Sequence, residues 1–335
     1  MRVTVGLLAV AFAASACSVD TSGNVKGQAC RALTATSPAT AALESPFQGT
    51  VFTIVIENKS RAQLLEGTAA PYLKSLAHQY TIANGYTDAR VHPSEPNYIW
   101  MVSGQNFGIL DDGEPAEHHI ASTSHLADQL EGVGRTWKTY QESMGEPCKI
   151  VNDGKYAPKH NPFVFFDDVV GWNGKTPLRQ QRCKDHVVDY SELEKDLAND
   201  TVPDYVFITP NLINDMHDGT IAQGDAWLAR EVPKILASKA WQNGGVLIIT
   251  ADEGEGRSAT DWSQEDDPPF VVVSPLAKKG YVSNTPYDTS SFLKTVQAIE
   301  GVEPLPCGTA ASADAPTMDD LFTVPLPAML PPAGA

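Results

Sequence analysis

Thr50-Val51-Phe52-Thr53-Ile54-Val55-Ile56 runs without interruption into Glu57-Asn58. Every residue of the run is apolar or β-branched, the composition of a strand buried on both faces. It ends on a carboxylate and an amide. Gly245-Val246-Leu247-Ile248-Ile249-Thr250-Ala251 has the same character and ends on Asp252-Glu253, with Gly254-Glu255-Gly256 beyond. Parallel strands bring their carboxyl ends together, and ligands of open α/β sheets bind there. The two runs therefore predict one acidic site at one edge of a sheet.

Between and around them, strand and helix patterns alternate. Ala70–Gln79 reads as a helix opening at Pro71, and Thr123–Glu131 as a helix feeding a strand at Thr136–Tyr140. Ser191–Ala198 is helical by pattern, Asp204–Thr209 is a strand, and Asp225–Trp241 is one long amphipathic helix despite Pro233. Strand Phe270–Ser274 and helix Ser290–Glu300 complete the series. Apolar strands alternating with helices imply a three-layer α/β/α sandwich around a mainly parallel sheet. Residues 145–190 break the rhythm with Gly, Pro, Asn and two cysteines, and read as an insertion over one sheet edge.

Three segments carry chemistry beyond the acidic strand ends. Ser94 lies in Val91-His92-Pro93-Ser94-Glu95-Pro96-Asn97-Tyr98, where the prolines stiffen what reads as a loop. A serine hydroxyl is a weak nucleophile unless a base or a metal activates it, and no Gly-x-Ser-x-Gly elbow surrounds Ser94. Asn211–Asp218 follows a strand and sets His217 between Asp215 and Asp218, which would orient its imidazole. Lys159-His160-Asn161-Pro162 lies inside the insertion. His118, His119 and His125 lack such context and read as structural.

The chain has 335 residues and a formal net charge of −17, with no basic run, which argues against nucleic acid as a partner. Residues 1–16 combine an early Arg2, an apolar stretch and small residues before Cys17, the pattern of an export signal. Ala14-Ser15-Ala16 suits ordinary cleavage, whereas the small residue before Cys17 resembles a lipobox, so membrane attachment through a lipidated Cys17 is one expectation. Residues 17–45 would be a flexible tether, 46–325 the catalytic domain and 326–335 a tail. Export makes disulfides the default use of the remaining cysteines, and four cysteines allow three pairings. Cys148–Cys183, closing the insertion, and Cys30–Cys307, joining the chain ends, are the pairs expected.

These segments, taken in order, resemble the bacterial and fungal acid-phosphatase and phospholipase C phosphoesterase family of the alkaline-phosphatase superfamily. The likeness runs through Ile56-Glu57-Asn58-Lys59-Ser60, His92–Tyr98, Lys159–Phe163, Thr209–Leu212, Asn214–Asp218, Gly224-Asp225, Trp227-Leu228 and Asp252-Glu253-Gly254. It covers most of residues 48–325. The resemblance implies one divalent metal ion (Ca, Zn or Mg) held by Glu57, Asn58, Ser94, Asp252 and Glu253. It makes Ser94 the nucleophile and places Asn97, His160 and His217 on the phosphoryl oxygens, with Asp215 supporting His217. The family commonly has histidines after the strand matching Phe270–Ser274; here Asn284 and Thr289 stand in that segment, which favours a single cation. Ser60 is followed by Arg61-Ala62 rather than the Phe-Asp usual in phospholipases C. The expected activity is an exported phosphomonoesterase acting through a phosphoserine. A phospholipase C-type diesterase, a phosphoinositide phosphatase and a non-catalytic metal- or phosphate-binding lipoprotein are the alternatives.

Overall fold

The computed structural model describes residues 45–254, 267–303 and 315–329. The export signal, Cys17, and the Cys30–Cys307 pair lie outside the described residues. Among the described residues ten strands follow in chain order: β1 Val51–Ile56, β2 Thr81–Ala83, β3 Trp137–Gln141, β4 Trp172–Asn173, β5 Thr176–Pro177, β6 Val187–Asp189, β7 Tyr205–Thr209, β8 Val246–Ala251, β9 Phe270–Val273 and β10 Tyr281–Ser283. Eight form one sheet in the order β10-β2-β9-β8-β1-β7-β3-β6, while β4 and β5 make a small hairpin. β1 pairs in parallel with β7 and β8, and β3 does so with β6 and β7. β9 is the exception, antiparallel to both β8 and β2.

Both faces of the sheet are covered, as the unbroken apolar runs require. On one face Val51 and Val55 pack with Ile99, Val102, Leu130, Phe163, Phe207 and Phe292. On the other, Phe52, Ile54 and Ile56 meet Leu73, Leu76, Leu193, Trp227 and Val232. All six residues of β1 are buried, as are all six of β8. This is the expected three-layer α/β/α arrangement.

Several boundaries differ from the sequence reading. The long helix expected at Asp225–Trp241 is two helices, Ile221–Leu236 and Lys239–Gln242. The first opens four residues earlier on a Thr220/Gln223 capping box, and Ser238 caps the second through the Trp241 amide. Pro233 stays inside the first. The helix expected from Thr123 begins at Leu126. Ser94 is not in a loop at all: it is the first residue of a helix, Ser94–Ser103. Pro96 falls in that helix's first turn, where a missing amide costs no intrahelical bond.

The insertion does more than cover an edge. Cys148 and Cys183 are bridged, and between them Phe163, Phe165 and Phe166 are buried in the core. The segment returns to the sheet as β6.

Candidate active site

The carboxyl ends of β1 and β8 lie side by side, as their parallel register from Val51↔Val246 to Ile56↔Ala251 dictates. Glu57, Asp252 and Glu253 are all buried there. The chain turns sharply at Asn58, whose φ of 44° is left-handed, a conformation asparagine tolerates better than most residues. That turn delivers both side chains to the cluster of acids. With its nitrogen assigned toward the carboxylates, the Asn58 amide donates to Glu57 Oε2 at 3.2 Å and Glu253 Oε1 at 3.0 Å. The Asn58 backbone N–H donates to Asp252 Oδ1 at 3.2 Å.

Ser94 reaches this cluster from the helix start: its Oγ donates to Glu57 Oε2 at 3.0 Å. One turn on, Asn97 Nδ2 donates to Glu253 Oε2 at 3.1 Å. Tyr98 stacks on the His160 ring with centroids 5.2 Å apart. His160 lies between two acids, its Nε2 3.4 Å from Glu57 Oε1 and its Nδ1 3.4 Å from Asp215 Oδ2. Asp215 Oδ1 accepts the His217 backbone N–H at 2.7 Å, and His217 Nδ1 lies 2.8 Å from Asp218 Oδ1. Glu57, His160 and His217 each offer a ligand atom, all within 4.8 Å of one another. All ten residue roles assigned from sequence thus fall on one constellation: Glu57, Asn58, Ser94, Asn97, His160, Asp215, His217, Asp252 and Glu253, with Ser94 counted twice.

Asn284 and Thr289 join other partners. Asn284 Oδ1 accepts from Asn84 Nδ2 at 2.9 Å, and Thr289 Oγ1 lies 3.3 Å from the Tyr86 hydroxyl.

Sequence reasoning gave no role to two residues that hold the site. His92 Nδ1 lies 2.5 Å from Glu253 Oε2, on the oxygen Asn97 also uses. Its only signal was its place two residues before Ser94. Glu142, just after β3, accepts from the Asn211 N–H at 2.9 Å, the Asn214 amide at 3.0 and 2.9 Å, and the Trp227 indole at 3.1 Å. It thereby fixes the segment that bears Asp215 and His217. Asp225 caps the helix Pro71–Gln79 through the amides of Tyr72 and Leu73, so its place in the motif is architectural. A Cβ on Gly224 would lie 2.5 Å from Met216 and 2.8 Å from the Asn214 carbonyl, which explains glycine where this helix meets the same segment.

The electrostatics of the cluster call for a cation. Burial, then the charge of Asp215, pushes the Glu57 carboxyl well above its usual range. Burial, then Glu57, does the same to Asp252. Asp215 is raised to about 7, chiefly by burial. Burial, then Lys159, holds the His160 imidazole well below its ordinary value. Buried acids crowded together cannot all ionise unless positive charge joins them. Among the described residues, Glu57 Oε1, Asp215 Oδ2 and Asp252 Oδ2 are buried oxygens that accept no hydrogen bond. Hard carboxylate oxygens of this kind are what a divalent metal takes as ligands, so the residues present fit such an ion.

Sheet order and layering give the fold shared by proteins of the alkaline-phosphatase superfamily. A protein of that superfamily from Vibrio parahaemolyticus superposes with a TM-score of 0.52 at 12% identity, over 77% of this chain and 68% of that one. Murine ectonucleotide pyrophosphatase/phosphodiesterase 5 in complex with AMP superposes with a TM-score of 0.53 at 11% identity, over 82% and 100%. The chain belongs to the Phosphoesterase family, whose profile matches residues 50–303, and it is a phosphoric ester hydrolase. It is 31% identical over 277 residues to the phosphatidylinositol-3-phosphatase of Mycobacterium tuberculosis, covering 81% of this chain and 82% of that protein. It is 33% identical over 198 residues to an acid phosphatase of Aspergillus fumigatus, covering 56% of this chain but only 41% of the fungal enzyme.

Proposed function

We propose that the chain is an exported phosphomonoesterase that uses Ser94 as its nucleophile and passes through a phosphoserine. The observation that carries this is the Ser94 hydroxyl at a helix start, 3.0 Å from Glu57 Oε2, beside buried carboxylate oxygens with no donor among the described residues. Relatives named as phosphatases match at 29–33% identity and those named as phospholipases C at 21–23%, which favours monoesters.

Glu57, Asp252, Glu253, Ser94 and Asn58, with its amide turned over, would hold one divalent cation, and calcium, zinc and magnesium all accept such oxygens. Bound there, the cation supplies positive charge that lowers the pKa of the Ser94 hydroxyl and offsets the charge on the phosphoryl group.

Ser94 Oγ attacks phosphorus in line while the bond to the leaving oxygen breaks. Its proton passes to Glu57 Oε2, already its acceptor. Asn97 and His160 donate to the phosphoryl oxygens, and Asp215 orients the His160 ring. His217, partly exposed at the mouth of the cluster and paired with Asp218, protonates the leaving oxygen. The same imidazole then takes a proton from water, whose oxygen attacks phosphorus and breaks the bond to Oγ, while Glu57 Oε2 returns its proton to the serine.

Ser94→Ala should reduce turnover of an aryl phosphate monoester by ~10⁴-fold or more, with the fold intact, because a nucleophile acts with its partners as a unit. Activity within a few-fold of wild type would remove Ser94 from the reaction. An aryl phosphorylcholine diester, assayed beside the monoester, decides between the two substrate classes.

A further inference from the structure

The residue after the nucleophile is tied to a segment that the site described above does not use. Glu95 is fully buried; its Oε2 accepts the Gly113 N–H at 2.7 Å and its Oε1 lies 2.6 Å from His118 Nδ1. In return Asp112 Oδ1 accepts the Glu95 N–H at 3.0 Å, while Asp112 Oδ2 takes Lys159 Nζ at 2.7 Å. Two carboxylates thus clasp the start of the Ser94–Ser103 helix to residues 112–118. One arm of the clasp reaches on to the lysine beside His160.

A helix start needs acceptors for its first amides, and here the cap residue, Pro93, offers no side chain that can accept. One imported oxygen would meet that need. The second oxygen of Asp112 holds Lys159 instead. The contact is closely fitted: a Cβ on Gly113 would fall 2.5 Å from the His118 ring. The Asp112 and Lys159 side chains are 29% and 22% exposed, so their pair contributes little to stability. What it fixes is the spacing of the two segments it joins.

We propose that Asp112 is a positioning residue for the reaction: by joining the Glu95 amide to Lys159, its carboxylate sets the distance between Ser94 and His160. This rests on the phosphoesterase mechanism proposed above, in which those two side chains meet the same phosphoryl group. A misplacement of about an ångström between reacting groups slows a reaction by up to about 100-fold.

The test uses the full chain with metal added back and an aryl phosphate monoester as substrate. Asp112→Ala should lower kcat by about 10- to 100-fold with KM, melting temperature and metal content little changed. Asp112→Asn keeps an acceptor for the Glu95 N–H and should recover part of the rate. Lys159→Met should lower kcat too, and the double variant should be no slower than the slower single, because both remove one link. An unchanged kcat in Asp112→Ala, a loss confined to KM, a loss that tracks melting or metal, or additive losses in the double variant would each overturn the positioning role. Wild-type protein that turns over no phosphate ester would instead overturn the proposed function.

Discussion

Two clusters in this molecule set a buried histidine among carboxylates, and they are completed in opposite ways. His125, Asp128 and Asp168 offer three ligand atoms within 4.8 Å of one another, as Glu57, His160 and His217 do. In the first cluster a guanidinium supplies the positive charge: Arg182 Nη1 lies 2.5 Å from Asp168 Oδ2, Nη2 2.5 Å from Asp128 Oδ1 and Nε 3.1 Å from Glu131 Oε1. Burial would raise the Asp168 carboxyl, but the hydrogen bond and charge of His125, with Arg182, hold it well below its ordinary range. In the second cluster, among the described residues, none of Glu57, Asp215 and Asp252 pairs with a lysine or arginine. Lys159, next to His160, gives its ammonium to Asp112. All three carboxyls there are pushed up, whereas the first cluster is split, with Asp168 held down and Asp128 raised by burial. The first cluster carries its own cation, whereas the second leaves Glu57 Oε1, Asp215 Oδ2 and Asp252 Oδ2 without a donor among the described residues.

The largest effect expected from this contrast is on turnover. Asp252→Ala or Glu57→Ala should slow monoester hydrolysis by more than ~100-fold, since even outer-shell partners of metal ligands are worth about that much. Steady-state rates with excess metal give the measurement. Substitution of Asp128 or Asp168, by contrast, should leave the rate near wild type, and equal losses from both clusters would erase the distinction.

Arg182→Met should show the reverse pattern. It leaves three part-exposed carboxylates, those of Asp128, Glu131 and Asp168, without their shared partner, a change that costs about 1 kcal/mol. Urea unfolding should reveal the loss while kcat stays unchanged. A slowed enzyme of unaltered stability would mean that Arg182 serves the reaction instead.

Glu300 is intermediate between the two clusters and gives the smallest effect. It is buried, its nearest cation contact is Arg135 Nε at 3.6 Å, and burial raises its carboxyl to about 8. An acid whose folded pKa lies above its unfolded value contributes stability that is complete below the unfolded value, about 4.5. That contribution is lost as pH climbs through the folded value. Unfolding midpoints of wild type should therefore fall between about pH 5 and about pH 9, and those of Glu300→Gln should fall less. Parallel declines in the two proteins would remove Glu300 as the cause.

How much of this was legible in the sequence depended on distance along the chain. β1 and β8 were readable because each is an unbroken apolar run with its acids directly attached, so one local pattern gave strand, burial and site. The antiparallel course of β9 was not, because direction is set by neighbours rather than composition. β2, β6 and β10 have three residues each, too few for a period to emerge. Ser94 was found as a chemical group but placed in a loop, since two flanking prolines look like a turn although both positions suit a helix entrance. His92 and Glu142 were missed because Glu253 and the 211–214 segment, which give them meaning, come from distant strands. His125 was left structural for want of context; Arg182, whose guanidinium joins its cluster, lies 57 residues away by number.

The most direct test of the contrast between the two clusters is metal content measured beside activity. Elemental analysis of active wild-type protein, dialysed free of loose ions, should find one divalent cation per chain. Chelation should remove that ion and the activity together, and add-back should restore both. The ion should be lost in Asp252→Ala and kept in Arg182→Met. Fully active protein without metal, or a cation that leaves with Arg182 and stays without Asp252, would contradict the assignment of the Glu57–Asp252 cluster as the catalytic metal site.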